Sequence, residues 1–263
     1  MQESMYSGLF GALTNEYRMA NIANNLANVN TAGYKRDVIS FKDTFQMFAH
    51  DVVMEPVNNL RSQKLFPDPQ HMARPRIAAT KTDFSQGAMK YTGNPLDIAI
   101  AGEGFFTFRV NGENLYRRDG HFVVNSEGQL MTPQGFSVLG TGGTELAIPA
   151  GTKDIHLASD GTLFADAEIV GQIQIRTVDN LEGLQKVGQN LYRIRDGSGA
   201  AEIDAPERTT LEQGYMETAN VEVVYEMVNM IEAQRQFEAY QKVMQTSDAL
   251  DREATNKIGR GRG

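Results

Sequence analysis

Residues 22–36 read IANNLANVNTAGYKR and close an N-terminal segment whose apolar side chains recur at helical spacing. The side chains that share one predicted helix face, at steps of three and four, are Met5, Leu9, Ala12, Met19, Ile22 and Leu26. Turn-forming residues follow, and Gly33 can adopt the positive φ that ends many helices. The stretch therefore predicts a long N-terminal helix over residues 4–28.

The C-terminal end has the same apolar periodicity over a longer run, residues 220–256. Apolar residues recur every seven positions and are joined by others on the same side: Val223, Met230, Phe237 and Met244, with Val224, Met227, Ile231 and Tyr240. Asn220 is a candidate N-cap, because a side-chain oxygen there can accept a bond from a free backbone N–H. The pattern predicts a second long helix with a wide apolar stripe.

Small and polar residues occupy the other side of the first helix. Gly8 and Gly11 each cost about 1 kcal/mol of helix propensity relative to alanine, but they allow another backbone to approach closely. Asparagine, a poor residue for a helix interior, is repeated at Asn21, Asn24, Asn25, Asn28 and Asn30. Two interpretations follow: the terminal helices form an intramolecular antiparallel pair, or this second surface docks other subunits.

The chain from residue 84 onward has a period of two. Apolar runs at 96–100 and 105–110 are separated by a glycine turn, and Asn111-Gly112 is the dipeptide preferred in type I′ hairpins. Many short strands at close spacing predict an antiparallel β-sandwich or a barrel-like body.

Residues 34–83 have no sustained period. Residues 34–41 fit either a strand or a helix, and the spacing of Phe41, Phe45 and Phe48 favours a helix. Prolines interrupt the rest of the segment. We therefore predict an α+β fold, with a discontinuous coiled-coil-like domain from the N- and C-terminal helices plus a central antiparallel all-β domain. The predicted boundaries are 1–33 and 215–263 for the terminal helical assembly domain, 34–83 for an extended connector and 84–214 for the central β domain.

The composition restricts the classes of partner. The 263 residues include 33 Asp and Glu against 25 Lys and Arg, a formal net charge of -8 that disfavours nucleic-acid binding. Cysteine is absent, so no disulfide framework can form. Asn15, Glu16 and Arg18 interrupt the apolar run near the N-terminus, so we expect neither a cleaved signal peptide nor insertion into a membrane.

The sequence contains no complete motif for catalysis, cofactor binding or metal binding. Residues 102–104 read GEG but lead into a predicted strand, and they therefore lack the helix N-terminus of a phosphate site. The histidines are far apart and have no metal-ligand spacing. Acidic pairs such as Asp166 and Glu168 could serve glycoside hydrolysis only at a defined separation. We expect no catalytic, cofactor-binding or metal-binding residue.

Four blocks of sequence resemble the bacterial flagellar rod and hook family. They are residues 22–36, quoted above; GNPLDIAI at 93–100 with GFF at 104–106; YRRDGHF at 116–122; and LEQGYMETANV at 211–221 with MVNMI at 227–231. Chain length favours the family's rod proteins over its larger hook proteins. The text RQFE at 235–238 resembles the proximal rod subgroup more than the distal one.

The resemblance implies a structural subunit of the flagellar basal-body rod, polymerising helically with copies of itself and other rod proteins into the drive shaft and export channel. It also implies export without a cleaved signal through the flagellar type III apparatus into the periplasmic rod. The terminal helices would line the inner tube, with the β domain outside, and no cofactor is implied. The alternative from a different class is a periplasmic enzyme that acts on cell-wall glycan.

We predict that subunit interfaces lie on the two terminal helices. The predicted interface residues are Leu9, Asn24, Asn25, Leu26, Asn28, Asn220, Val221, Met227, Ile231, Phe237 and Met244. The asparagines come from the blocks that carry the resemblance, and most of the apolar residues come from the two predicted stripes.

Overall fold

The computed structural model describes residues 2–46, 72–110, 112–166, 168–206 and 208–260. These residues form two compact units. The helical unit comprises Met1–Ala23, Val38–Lys81 and Met227–Gly263, as far as these ranges are described, and the β unit comprises Asn24–Asp37 and Thr82–Glu226. The fold is α+β, as predicted, with two long helices and a central region rich in antiparallel strands.

The two long helices have limits close to the predicted ones. Helix α1 is Gln2–Ala27 and helix α2 is Val223–Arg260. The prediction that Asn220 is the N-cap of α2 is wrong. The helix starts at Val223, and the Oδ1 atom of Asn220 accepts a bond from the backbone of Arg36, 2.8 Å away.

Strands β1 (Asp37–Gln46) and β2 (Met72–Thr82) pair with each other. The helical interpretation is therefore wrong at Phe41 and Phe45, which lie in strand β1. Phe48, the third residue of that pattern, lies outside the described residues. Pairing with a second strand overrides the weak helical spacing, because strand formation depends on partners more than on local preference.

The β unit is built from short strands. In its described residues they are β3 (Met89–Tyr91), β4 (Ile98–Ala101), β5 (Phe105–Val110), β6 (Glu113–Arg117), β7 (Val123–Val124), β8 (Leu130–Met131), β9 (Ser137–Val138), β10 (Ile155–Leu157), β11 (Thr162–Ala165), β12 (Glu168–Gln172), β13 (Ile175–Val178), β14 (Leu184–Gly188), β15 (Leu191–Ile194), β16 (Glu202–Asp204), β17 (Thr210–Gln213) and β18 (Tyr215–Glu217). A short 3-10 helix, Leu181–Gly183, precedes β14.

The largest sheet has the strand order β14-β15-β6-β5-β9-β8-β7, and β13 pairs with both β5 and β16. A second sheet has the order β10-β11-β12. Two short antiparallel ladders, β17 with β4 and β18 with β3, pair the last strands of the unit with its first ones. This topology brings Glu217, at the end of β18, back to the region where the β unit begins.

Aromatic and aliphatic side chains fill the core of the β unit. Phe106 and Phe122 are fully buried, and their rings meet edge to face with centroids 5.2 Å apart. Strand β4 buries the side chains on both of its faces, since Ile98, Ala99 and Ile100 are all inaccessible to solvent. The alternation seen in its sequence therefore does not separate a core face from a solvent face.

In the helical unit, the small residues of α1 face α2. A Cβ atom added to Gly11 would lie 2.4 Å from Cε1 of Tyr240, so the ring occupies space that only glycine leaves free. A Cβ on Gly8 would lie 3.0 Å from Cγ of Met244. Residue numbers rise along α1 while those of the facing residues fall along α2, so the helices run antiparallel over this stretch.

This packing corrects the face predicted for α1. Ala12 and Ile22 are buried as expected, but Met5 and Leu9 are exposed. Glycine lets the Tyr240 ring approach the helix backbone directly, and the buried face is consequently centred on the small residues. The larger apolar side chains are left on the outside.

We expect Phe122→Ala to destabilise the β unit by about 3–5 kcal/mol, because it removes a buried ring from a closely packed aromatic cluster. Urea unfolding followed by tyrosine fluorescence measures the loss. The matched control is Val187→Ala, at a half-exposed position on strand β14, where the expected cost is below about 1 kcal/mol. Equal costs for the two variants would contradict the assigned core.

Candidate assembly surfaces and a buried polar junction

A buried carboxylate lies between two buried cations in the β unit. Oε1 of Glu217 is 2.6 Å from Nζ of Lys35, and Oε2 is 2.9 Å from Nε of Arg118. The three residues are 2%, 1% and 3% exposed, respectively. We call this group, together with Asn25, Tyr34 and Asn220, the polar junction.

Both cations also donate to backbone carbonyl groups. Lys35 Nζ donates to the oxygen of Ser85 at 2.7 Å, and the two Nη atoms of Arg118 donate to Gly102 and Gly104 at 2.7 Å each. Burial lowers the pKa of Lys35 and of Arg118, and the negative charge of Glu217 opposes that shift in both. The network thus compensates the cost of removing three charged groups from water.

The last turn of α1 is attached to the start of β1 by one asparagine side chain. Asn25 is 2% exposed; its Nδ2 donates to the carbonyl of Asp37, and its Oδ1 accepts from the N–H of Asp37, both at 3.0 Å. The amide thereby takes the place of a peptide group in a ladder. The Tyr34 hydroxyl lies 3.1 Å from the same Oδ1 and 2.9 Å from Oδ1 of Asn24.

The approach to α2 is attached by a second asparagine. Oδ1 of Asn220 accepts from Arg36 N at 2.8 Å, and its Nδ2 donates to the carbonyl of Asp83 at 2.8 Å. The same Nδ2 lies within bonding distance of the Ser85 carbonyl, 3.2 Å away. Asn220 therefore joins three segments that are distant in sequence.

Gly33 allows the segment between α1 and β1 to approach the junction. Its φ is 64°, and its N–H donates to the carbonyl of Glu217 at 2.8 Å. A Cβ at this position would lie 2.4 Å from the backbone nitrogen of Asp119. Only glycine satisfies both the positive φ and the close approach.

Lys186 on strand β14 covers the outer side of the same segment. Its Nζ is 2.8 Å from Oδ1 of Asp37, donates to the Lys35 carbonyl at 2.7 Å, and lies 4.5 Å from the centroid of the Tyr34 ring. Sequence reasoning assigned no role to Lys186, Arg118 or Glu217. Their partners are far away in the chain, and no local spacing signals such contacts.

The predicted interface residues fall into three groups. The exposed ones are Leu9, Asn24, Met227 and Ile231; the half-buried ones are Leu26, Asn28, Asn220, Phe237 and Met244; and the buried ones are Asn25 and Val221. Asn25 and Asn220 are held by bonds within the chain. Leu9, Met227 and Ile231 present apolar side chains to solvent.

Two apolar stripes are exposed on the helical unit. The α1 stripe consists of Met5, Leu9, Leu13 and Tyr17, spaced by four residues. The α2 stripe consists of Met227, Val228 and Ile231, with 49%, 51% and 51% of their surface exposed. At about 100° per residue, the α2 stripe lies opposite Ala233 and Tyr240, which are buried and half-buried. Exposed apolar patches of this kind mark interaction surfaces.

The described residues contain neither a metal-ligand cluster nor a helix that could span a membrane. They hold no cluster of three or more His, Asp or Glu side chains arranged to bind a metal ion. None of the described helices is both long enough and apolar enough to span a membrane.

Comparison with known families gives matches at both ends and in the middle of the chain. Residues 5–35 match the flagella basal body rod protein family, residues 99–165 match the D1 domain of flagellar hook proteins FlgE/F/G, and residues 212–257 match the C-terminal domain of flagellar basal body rod FlgEFG proteins.

Individual relatives are similar over nearly the whole length. The flagellar basal-body rod protein FlgG of Bacillus subtilis is 32% identical over 97% of this chain and 99% of its own. FlgF of Caulobacter vibrioides is 32% identical over 99% of both chains. FlgG of Agrobacterium fabrum is 33% identical over 87% of this chain and 89% of its own.

We expect Glu217→Ala to destabilise the β unit by about 3–5 kcal/mol, because it leaves two buried cations without their counter-charge. Urea unfolding at neutral pH measures the change. The control is Glu113→Ala, which breaks an exposed ion pair with Arg193 in the same unit and should cost at most about 1 kcal/mol. A similar cost in both variants would show that the junction does not stabilise the fold.

Alkaline pH should destabilise the β unit partly through Tyr34. Burial, followed by the nearby charge of Asp37, raises the pKa of this phenol from 10.0 to about 12. The folded state then holds the proton more tightly than the unfolded state, so the contribution is complete below pH 10 and is lost between pH 10 and 12.

The variant that tests this is Tyr34→Phe. It should lose about 1 kcal/mol at neutral pH with its hydrogen bond, yet show a shallower fall in stability above pH 10 than the unaltered protein. The free energy of unfolding measured by urea between pH 8 and pH 11 gives both slopes. Parallel slopes would exclude Tyr34 as a source of the alkaline loss.

Proposed function

This chain belongs to the flagellar basal-body rod family and is a structural subunit of the rod, and on that premise we propose that it polymerises helically with copies of itself and with other rod proteins. The polymer acts as a drive shaft that transmits torque through contacts between subunits. In this proposal α1 and α2 form a coiled-coil-like pair whose copies build the wall of an export channel.

The observation that carries the proposal is the pair of exposed apolar stripes on the helical unit. The helices already use another face for their own antiparallel contact, where Gly11 meets Tyr240. The α1 and α2 stripes therefore remain available to a second subunit. Burying apolar surface contributes roughly 25 cal/mol per Å², which favours covering both stripes with another subunit.

The predicted interface residues take different parts in this proposal. Leu9, Met227 and Ile231 contact neighbouring subunits directly, because their side chains are apolar and exposed. Asn25 and Asn220 act indirectly: their amides hold the last turn of α1 and the approach to α2 in one conformation. The roles of the other residues in the predicted set stay predictions.

Within the family, we propose the proximal rod position, which corresponds to FlgF. The support is the sequence RQFE at 235–238 together with full-length similarity to a protein named FlgF. The alternative is the distal rod protein FlgG, because a relative with that name has the same sequence identity to this chain, 32%. A map of the basal body with this chain tagged separates the two, because they occupy different axial layers of the rod.

We propose that the subunit is exported by the flagellar type III apparatus and assembles in the periplasm. Transport as an unfolded chain is compatible with the absence of cysteine, since no disulfide must form before or after passage. Family membership gives no support to the cell-wall-glycan enzyme considered from the sequence.

Ile231→Asp should abolish assembly without unfolding the subunit, because it places a charge on the apolar α2 stripe. In cells that lack the native gene copy, we expect loss of motility and at least about tenfold less subunit in isolated basal bodies. Circular dichroism and urea unfolding of the purified variant should match the unaltered protein.

The control for this experiment is Val187→Asp on strand β14. Val187 is 50% exposed, close to the 51% of Ile231, so the two substitutions introduce the same charge at equal exposure. Normal motility with Val187→Asp and none with Ile231→Asp supports the proposal. Normal incorporation of Ile231→Asp would refute the assignment of the α2 stripe to subunit contacts.

A further inference from the structure

Met227 combines an oxidisable side chain with a position in the α2 stripe. Its exposed fraction is 49%, and it adjoins Val228 and Ile231, which have no polar side-chain atoms. Two other methionines of the same helix, Met230 and Met244, are half-buried. Susceptibility of methionine to oxidation follows solvent access, so Met227 is the most reactive of these three.

We infer that Met227 is a modification site at which peroxide-class oxidants control the assembly competence of the free subunit. The inference rests on the proposed function, because it takes the α2 stripe as a surface that docks another subunit. Oxidation before docking converts the apolar side chain into a polar one and weakens the contact.

The reaction is a two-electron oxygen transfer. A lone pair on the thioether sulfur attacks one oxygen of hydrogen peroxide, the O–O bond breaks, and the other oxygen leaves as water after proton transfer. The sulfur is oxidised to a sulfoxide, and the peroxide is reduced to water. Both carbon–sulfur bonds stay intact, so the helix backbone is unchanged.

The sulfoxide harms docking because its oxygen is a hydrogen-bond acceptor without a donor nearby. The side chains of Val228 and Ile231 offer none, and the backbone N–H groups from Met227 onward are used within the helix. Burying an unpaired acceptor is unfavourable, so the oxidised subunit should associate about tenfold more weakly or worse.

Docking in turn protects the sulfur, since a covered stripe excludes the oxidant. Met227 is therefore vulnerable only before assembly, and subunits already in the rod keep an intact thioether.

The test treats the purified full-length chain with hydrogen peroxide and maps sulfoxide by peptide mass spectrometry. Self-association by sedimentation velocity and incorporation into isolated basal bodies are measured before and after treatment. The variants are Met227→Leu, which stays apolar and cannot form a sulfoxide, and Met227→Gln, which imitates the polar side chain. Met5→Leu is the matched control, since it removes an exposed methionine from the other helix.

We expect Met227 to oxidise faster than Met230 and Met244. Treated protein and untreated Met227→Gln should lose association about tenfold, whereas treated Met227→Leu should keep it and treated Met5→Leu should lose it. The inference is overturned if treated protein associates normally, or if treated Met227→Leu loses association as the unaltered chain does. Failure of untreated protein to associate or incorporate would instead reject the proposed function, and this inference with it.

Discussion

The rest of the β unit depends on one carboxylate, that of Glu217, which bridges the buried ammonium group of Lys35 and the buried guanidinium group of Arg118. The three groups come from the segment after α1, the turn after β6 and the end of β18. Removing a charge from water is costly, and the cost is recovered only when each partner stands in place. The buried ion pairs are therefore stable only when these three segments of the chain have come together.

The asparagines near this network have a common physical role. The Nδ2 and Oδ1 atoms of Asn25 both hydrogen-bond to the backbone of Asp37. Those of Asn220 hydrogen-bond to the backbone of Asp83 and of Arg36, respectively. An amide side chain offers a donor and an acceptor at the spacing of a peptide group, so it can continue a ladder where the backbone cannot. These two asparagines therefore bind the backbone of their own chain, and the exposed apolar residues remain for the proposed subunit contacts.

The helical unit shows how small residues decide which face of a helix is buried. Gly11 admits the ring of Tyr240 against the backbone of α1, and this close contact outweighs the helix propensity that glycine loses. Because the small face is used inside the subunit, the α1 stripe, which includes Leu9, is left outside. In the proposed assembly, these exposed apolar side chains contact neighbouring subunits.

Periodicity alone identified both long helices and the strand-rich middle of the chain. These features are local: a step of three or four positions, or of two, can be counted without knowing any partner. The same counting failed at Phe41 and Phe45, where a second strand decides the conformation, and at Leu9, where the packing of glycine decides the buried face. It also missed Glu217, whose significance lies in contacts with residues far away in the chain.

The sequence by itself determined the α+β composition, the turn glycines such as Gly33, and the resemblance that leads to a rod subunit. Only the tertiary structure decided which asparagines serve the interior and which apolar residues remain exposed. The physical reason is that helical and strand periods arise from backbone geometry within a few residues. Burial, ion pairing and amide ladders, by contrast, depend on segments such as those of Lys35 and Glu217, which lie 182 positions apart.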